Sequence, residues 1–449
     1  MSFSSNKSAE ILARNRRVIP GGIVSTNRAT QPELVFLRAA GAYLWDADGK
    51  RYIDYHAAFG PYILGHNDPD VNQAVERSLR DGSSLFGTGT TVLEGELAEL
   101  ISNFVPGAER VQLLNTGSEA TYQALRTARA ATGRDHIIVM QGGYNGWHND
   151  VSCNLATPLS QLGPRISSGE YAYMPISAGV PKAHQDLVHP VNFNDLASVK
   201  EVCRRYPVAA LITEPILQNI GLVKPLPGYL EGLRQLADDF GFCLIFDEVK
   251  TGFRHAIGGY AAICGVKPDL AVFGKALANG YPIAALAGKR ELMDYFVHPE
   301  ASKRVLLAGT YNGHPVPVTA AIATLRKLSA DNCAAFRHLD QMGALSQKLL
   351  ETLFADRRIK VTVVREGSAF CVYFMDHAPV DWHDLASNHD FPLDESMRRS
   401  LIDGGVYVFP IATKQCSISL AHTAADIQFT VEQFAAWIEA ARPLTASLK

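Results

Sequence analysis

A chain of 449 residues exceeds the roughly 100–200 of a single domain, so two or three lobes are expected. Its 47% hydrophobic and 19% charged residues are those of a protein with a large buried interior and exclude a disordered chain. A formal net charge of −3 without blocks of like charge offers no footprint for nucleic acid, and no apolar stretch reaches the roughly 18 residues that cross a bilayer.

In chain order, the polar start MSFSSNKSAE lacks the apolar core of a leader, which leads to the expectation of a cytoplasmic protein that contacts no membrane. Residues 34–55 carry the runs Leu34-Val-Phe-Leu37 and Tyr43-Leu-Trp45, separated by Gly41 and followed by the turn Asp46-Ala-Asp-Gly49. This pattern predicts antiparallel strands leading into a larger lobe.

Between about 95 and 290, short apolar runs alternate with helix-like segments, which predicts an α/β lobe with a mostly parallel sheet. Val111–Leu114 runs into Asn115-Thr-Gly-Ser118, Ile137–Met140 into Gly142-Gly-Tyr144, and Ala209–Ile212 into Thr213-Glu-Pro215. Cys243–Phe246 runs into Asp247-Glu-Val249, and Leu270–Phe273 into Gly274-Lys275. Open α/β sheets bind ligands outside the carboxyl ends of their strands, so five polar strand ends point to one site.

From about residue 331, a long helix, a strand over Ser368–Phe374 and a terminal helix over Ala424–Ala440 predict a smaller α+β lobe shared with the chain start. The expected division is 1–74 as N-terminal segment and part of the small domain, 75–330 as the large domain, and 331–449 as the C-terminal small domain.

The seven cysteines are odd in number and never spaced as C-x-x-C, and the histidines show no H-E-x-x-H. Buried thiols in a reducing compartment and no metal site are expected.

Three strand ends carry chemistry. Asn115-Thr-Gly-Ser118 opens a helix over Glu119–Ala131, where free N–H groups and the helix dipole suit an anion such as phosphate; an ordinary N-cap by Thr116 or Ser118 is the other reading. Asp247 could serve a metal in a triphosphatase, but the chain has no G-x-x-x-x-G-K-[ST] loop. A buried carboxylate, a lysine and an anion cradle in one crevice are what pyridoxal 5'-phosphate chemistry requires. Lys275 would then form the Schiff base, and Asp247 would keep the ring nitrogen protonated.

Several segments now add up. Tyr52-Ile-Asp-Tyr55, Leu64-Gly-His66, Asn115-Thr-Gly-Ser-Glu-Ala120, Gly142-Gly-Tyr-Asn-Gly146, Glu214-Pro215, Phe246–Arg254, Gly274-Lys275, Gly309-Thr310 and Ala421-His-Thr423 stand in one order and spacing. In these the chain resembles the class III aminotransferases of the fold-type I pyridoxal-phosphate enzymes, and among them the subgroup of glutamate-1-semialdehyde 2,1-aminomutase. The resemblance implies a seven-stranded, mostly parallel sheet in a large domain beside a small domain from both chain ends. It also implies that Gly117 and Ser118 bind the phosphate, that Tyr144 and Val249 cover the two ring faces, and that Glu214 and Asn219 stand near the ring hydroxyl. Thr310 would reach the phosphate of a partner subunit, which implies a homodimer. Arg28 falls where the aminomutases hold a substrate carboxylate with an arginine.

Two positions depart from the aminomutases: Phe59 in Phe59-Gly-Pro61, where they have tryptophan, and Lys414, where they carry a glutamate. A cation at 414 would repel a free amine and attract a carboxylate. The expected activity is therefore ping-pong transamination from an amino acid, glutamate on family grounds, to a carbonyl acceptor. Internal 2,1-amino migration, racemisation and decarboxylation on the same fold are the alternatives.

Overall fold

The computed structural model describes residues 7–441 and divides them into two compact units. The smaller gathers the residues up to Asp68, Leu339–His377 and those from Asp390 onward; the larger comprises Pro69–His338 and Ala378–His389.

In chain order, β1 (Phe36–Ala40), β2 (Tyr43–Asp46) and β3 (Arg51–Asp54) form an antiparallel meander in the smaller unit. The larger unit then contributes β4 (Arg110–Leu114), β5 (His136–Met140), β6 (Val188–Val191), β7 (Val208–Thr213), β8 (Cys243–Asp247), β9 (Leu270–Phe273) and β10 (Ala284–Gly288). Back in the smaller unit, β11 (Thr362–Glu366), β12 (Ala369–Tyr373) and β14 (Cys416–Ser417) make a second sheet, while β13 (Val406–Tyr407) pairs in parallel with β3. Phe354, Phe370, Phe374, Leu401 and Trp437 are buried in that unit's core. Its last helix, Ala424–Ala440, starts on a capping box between Thr423 and Asp426.

The large sheet has seven strands in the order β4-β10-β9-β8-β7-β5-β6. Strand β10 alone runs against its neighbours β4 and β9; the other pairings are parallel. Every residue of β7, β8 and β9 is buried, as expected of central strands covered on both faces. Two strands extend the set foreseen from the sequence. β6 sits at an edge, where Pro190 leaves no interior hydrogen bond unmade, and β10 is built mostly of alanine.

The helix Gly117–Thr132 lies against this sheet through the fully buried Ala120, Ala124, Leu125 and Ala128. Alanines four residues apart let the helix axis approach closely, and burying Leu125 contributes about 1.5–3 kcal/mol. Because only two residues separate the end of β4 from the start of the helix, its first turn stands at the carboxyl edge of the sheet. The long helix Pro315–Asp356 is interrupted over Ala330–Cys333, where Asp331, Asn332 and Cys333 adopt positive φ.

Candidate active site

The anion end is set by the turn after β4. Thr116 is the N-cap: its Oγ1 accepts the Glu119 N–H at 3.2 Å, and Glu119 Oε2 accepts the N–H groups of Thr116 and Asn115 at 3.1 and 2.8 Å. The capping reading of this loop therefore holds for Thr116, which leaves Gly117 and Ser118 in the first turn. A Cβ on Gly117 would stand 3.0 Å from Val249 Cγ2, so glycine is what allows the helix end to approach the β8 loop. Ser118 Oγ accepts the Trp147 N–H at 3.2 Å, and a Cβ on Gly146 would come within 2.9 Å of that oxygen.

At the end of β8, Asp247 is buried and each carboxylate oxygen accepts one N–H: Oδ1 from Val249 at 3.0 Å, Oδ2 from Asn145 Nδ2 at 2.9 Å. Burial and the nearby Glu214 charge push its pKa up to about 6, against the two N–H donors and Lys275. The next residue does different work. Glu248 accepts Thr251 Oγ1 and the N–H groups of Tyr260 and Ala261 at 2.7, 2.8 and 2.9 Å, which fixes the chain beyond the site.

Lys275 follows β9 with φ of 46°, a left-handed conformation that costs a non-glycine residue on the order of 1 kcal/mol or more. It is half-buried, and the surrounding protein lowers its pKa by desolvation, with Asp247 and Glu214 opposing and Arg254 assisting. A lysine eased toward its neutral amine is a better nucleophile and base than a solvated one.

Glu214 after β7 is buried and gathers four contacts: the N–H of Tyr144 at 3.0 Å, the N–H of Gln218 at 3.1 Å, and Asn219 Nδ2 at 3.0 Å from each oxygen. It thereby fixes the loop that carries Tyr144. Val249 closes the arrangement from the other side, since a Cβ on Gly274 would lie 3.5 Å from its Cγ1. Gly117, Ser118, Glu214, Asp247, Val249 and Lys275 thus form one connected cluster, joined by Tyr144 and Asn219 through Glu214.

Sequence reasoning singled out neither Asn145 nor Arg254. Asn145 stood inside the quoted Gly142–Gly146 motif, but nothing in its spacing shows that its amide reaches Asp247. Arg254 is buried, and burial lowers its pKa to about 10.

Four expected residues remain. Arg28 and Phe59 line one cavity of about 280 Å³ in the smaller unit, with Phe36, His56, Tyr407 and Phe409 among its walls. Ala57, Ala58 and Phe59 all have positive φ, a run of backbone strain that turns Phe59 against His56 and Phe409. Lys414 does not line that cavity; it is half-buried and its carbonyl accepts Arg398 Nη2 at 2.9 Å. Thr310 is exposed in the larger unit, in a cleft of about 440 Å³ with Gly87, Thr88 and Asn312.

A ligand with an anionic tail, an electrophilic carbon and a basic ring nitrogen fits the cluster. The Gly117 turn leaves a Cβ no room unless Val249 gives way, the buried Asp247 has lone pairs to spare, and Lys275 has no hydrogen-bonded partner among the described residues. Among those residues no group of His, Cys, Asp and Glu could hold a metal ion, and no helix is long and apolar enough to cross a membrane.

Comparison with known proteins agrees with this geometry. Residues 24–438 match the family model of class-III aminotransferases. The glutamate-1-semialdehyde 2,1-aminomutase of Syntrophomonas wolfei is 38% identical over 434 residues, 95% of this chain and 96% of that protein. Its counterpart from Desulfatibacillum aliphaticivorans is 36% identical over 433 residues, 95% and 97%. The crystal structure of an omega-transaminase from Sphaerobacter thermophilus superposes with a TM-score of 0.89 at 29% identity, covering 97% of this chain and 98% of that one. The chain belongs to the class III aminotransferases and is a pyridoxal-phosphate-dependent enzyme of fold type I.

Proposed function

We propose that the protein transfers an amino group from an amino acid donor, glutamate first among candidates, to a carbonyl acceptor by a ping-pong mechanism. The observation that carries this reading is the buried Asp247 beside Lys275, joined through Val249 to the helix turn at Gly117. Bound there, pyridoxal phosphate supplies an electron-withdrawing ring that stabilises negative charge on the substrate carbon.

The chain's own residues divide the remaining work. Gly117 and Ser118 hold the anionic tail at a helix N-terminus, where N–H donors and the dipole favour it. Asp247 holds the ring nitrogen, and Tyr144 and Val249 keep the ring between them. Glu214 and Asn219 stand toward the ring hydroxyl. With the cofactor bound, Lys275 Nζ would take the substrate's α-proton and hold it for return on the far side of the amino nitrogen, work for which a lowered pKa suits it. Arg28 offers a fork of N–H donors to a substrate carboxylate, with Phe59 beside it in the same cavity. Lys414 is assigned to a second carboxylate. Thr310 is assigned to the anionic tail in a partner subunit, which makes the working unit a homodimer.

A second reading is supported by the names of the two relatives, both aminomutases: internal migration of the amino group within glutamate-1-semialdehyde. Lys414 argues against it, because a cation disfavours retention of a free amine.

One assay separates them. Under transamination, glutamate added to the loaded enzyme releases its oxo acid and leaves pyridoxamine phosphate in stoichiometric amount, without an acceptor. Efficient formation of 5-aminolevulinate from glutamate-1-semialdehyde, with no such half-reaction, overturns that reading in favour of the second.

A further inference from the structure

Asn145 makes the one side-chain hydrogen bond to Asp247 among the described residues, Nδ2 to Oδ2 at 2.9 Å. Its own position is fixed through the main chain, because its carbonyl accepts Thr121 Oγ1 at 2.6 Å. Thr121 belongs to the helix Gly117–Thr132, whose first turn forms the anion end. The two residues after Asn145 press on that same turn, Gly146 against Ser118 and the Trp147 N–H on Ser118 Oγ. One short segment therefore touches both the anion end and the ring-nitrogen acid.

We propose that Asn145 is a positioning residue: its amide sets the rotamer of Asp247 and holds that carboxylate ionised toward the ring nitrogen, while Asn145-Gly146-Trp147 fixes its separation from the anion end. The inference rests on the assignment of Asp247 to the ring nitrogen.

The chemistry follows from the donor type. An amide N–H is a donor that neither gains nor loses a proton across the working pH range, and a donor to the charged form favours the charged form. The charges facing Asp247 are Glu214 from the β7 loop and Lys275 from the β9 loop, with Arg254 near Lys275. Burial and Glu214 favour the neutral acid; Lys275 and the N–H groups of Asn145 and Val249 favour the anion. Removing the amide strips Oδ2 of its donor and tips this balance toward a neutral acid. A neutral acid cannot keep the ring nitrogen cationic. A ring without that charge withdraws fewer electrons, so the nitrogen that Lys275 contributes becomes more basic.

The test uses wild type, Asn145→Ala, Asn145→Asp and Asp247→Asn, each loaded with pyridoxal phosphate. The readouts are the pH midpoint of the visible absorption band, the cofactor dissociation constant, and the thermal midpoint of the unloaded protein. Asn145→Ala is expected to raise the band midpoint by about one pH unit and weaken cofactor binding about tenfold. Asn145→Asp, nearly isosteric, moves the midpoint further in the same direction, because two adjacent carboxylates share one proton. It carries the test if the alanine variant does not fold. If Asp247→Asn moves the midpoint but neither Asn145 variant does, the proposal is overturned while the assignment of Asp247 stands. If Asp247→Asn leaves the band unmoved, that assignment falls and the role of Asn145 with it.

Discussion

The carboxylate of Glu214 receives the main-chain N–H of Tyr144 at 3.0 Å, so a charge at the end of β7 fixes the loop that follows β5. The same carboxylate takes the N–H of Gln218 and, at each oxygen, Asn219 Nδ2. Replacing Glu214 with alanine leaves these buried donors unmatched, at about 1–3 kcal/mol each for the groups that cannot find water. Glu214→Ala is expected to lower stability in urea titration by a few kcal/mol and to loosen the cofactor. Glu214→Gln keeps one carbonyl oxygen and loses less. Equal stability of the two variants contradicts this account.

Asp247 predicts a pH dependence with a definite sign. Its folded pKa of about 6 lies above the roughly 3.9 of an unfolded aspartate, so the unloaded folded state holds the proton more tightly than the unfolded chain. Its contribution is fully favourable below pH 4, falls as pH rises toward 6, and stays constant above. The loss is on the order of 2–3 kcal/mol. Denaturation of the unloaded protein across this window should show the fall in wild type and a correspondingly smaller one in Asp247→Asn; parallel curves argue against a raised pKa.

Much of this arrangement is legible from strand ends alone. β4, β5, β7, β8 and β9 are dense in branched or long apolar residues, and each stops at a polar turn, so these strands and the ends that carry Ser118, Asp247 and Lys275 can be read from the sequence pattern, whereas the roles expected of Tyr144 and Glu214 come from the family resemblance. β10 escapes because Ala284, Ala285, Leu286, Ala287 and Gly288 have little intrinsic strand preference; pairing on both sides makes them a strand. β6 escapes because His189 and Pro190 interrupt its apolar run. Asn145 is hidden for another reason: its hydrogen bond spans 102 residues of sequence, and no local pattern encodes a contact of that range.

The approach of Gly117 to Val249 predicts a compensating pair. A Cβ at 117 would sit 3.0 Å from Val249 Cγ2, too close unless the valine shifts, and overpacking of this kind costs about 1–3 kcal/mol. Gly117→Ala should destabilise the protein and weaken phosphate retention, and adding Val249→Ala should restore part of both. A double-mutant cycle reads this as a nonadditive term; strictly additive losses rule out the steric account.

Thr310 tests the proposed homodimer. It lines an open cleft apart from Lys275, and the neighbouring Phe86 and Tyr311 are 65% and 63% exposed, as suits surface awaiting a partner. Light scattering is expected to give twice the chain mass. Thr310→Ala should keep that mass while weakening cofactor binding about tenfold or more, the worth of one hydrogen bond to a charged group. A monomer that retains the cofactor fully contradicts the shared site.

Lys275→Ala isolates the proton-transfer role. Alanine inherits the left-handed backbone at φ 46° but removes an ammonium that burial already disfavours, so the unloaded variant should fold with at least wild-type thermal stability. Turnover with glutamate should fall by about 10²–10⁴ or more, the range a positioned acid–base group supplies. Added methylamine, a small base able to enter the vacated space, should recover part of the rate in proportion to its concentration. A variant that keeps full turnover removes Lys275 from the chemistry; one that loses turnover and also unfolds is separated from it by the thermal scan, because loss of the proton carrier alone leaves the fold intact.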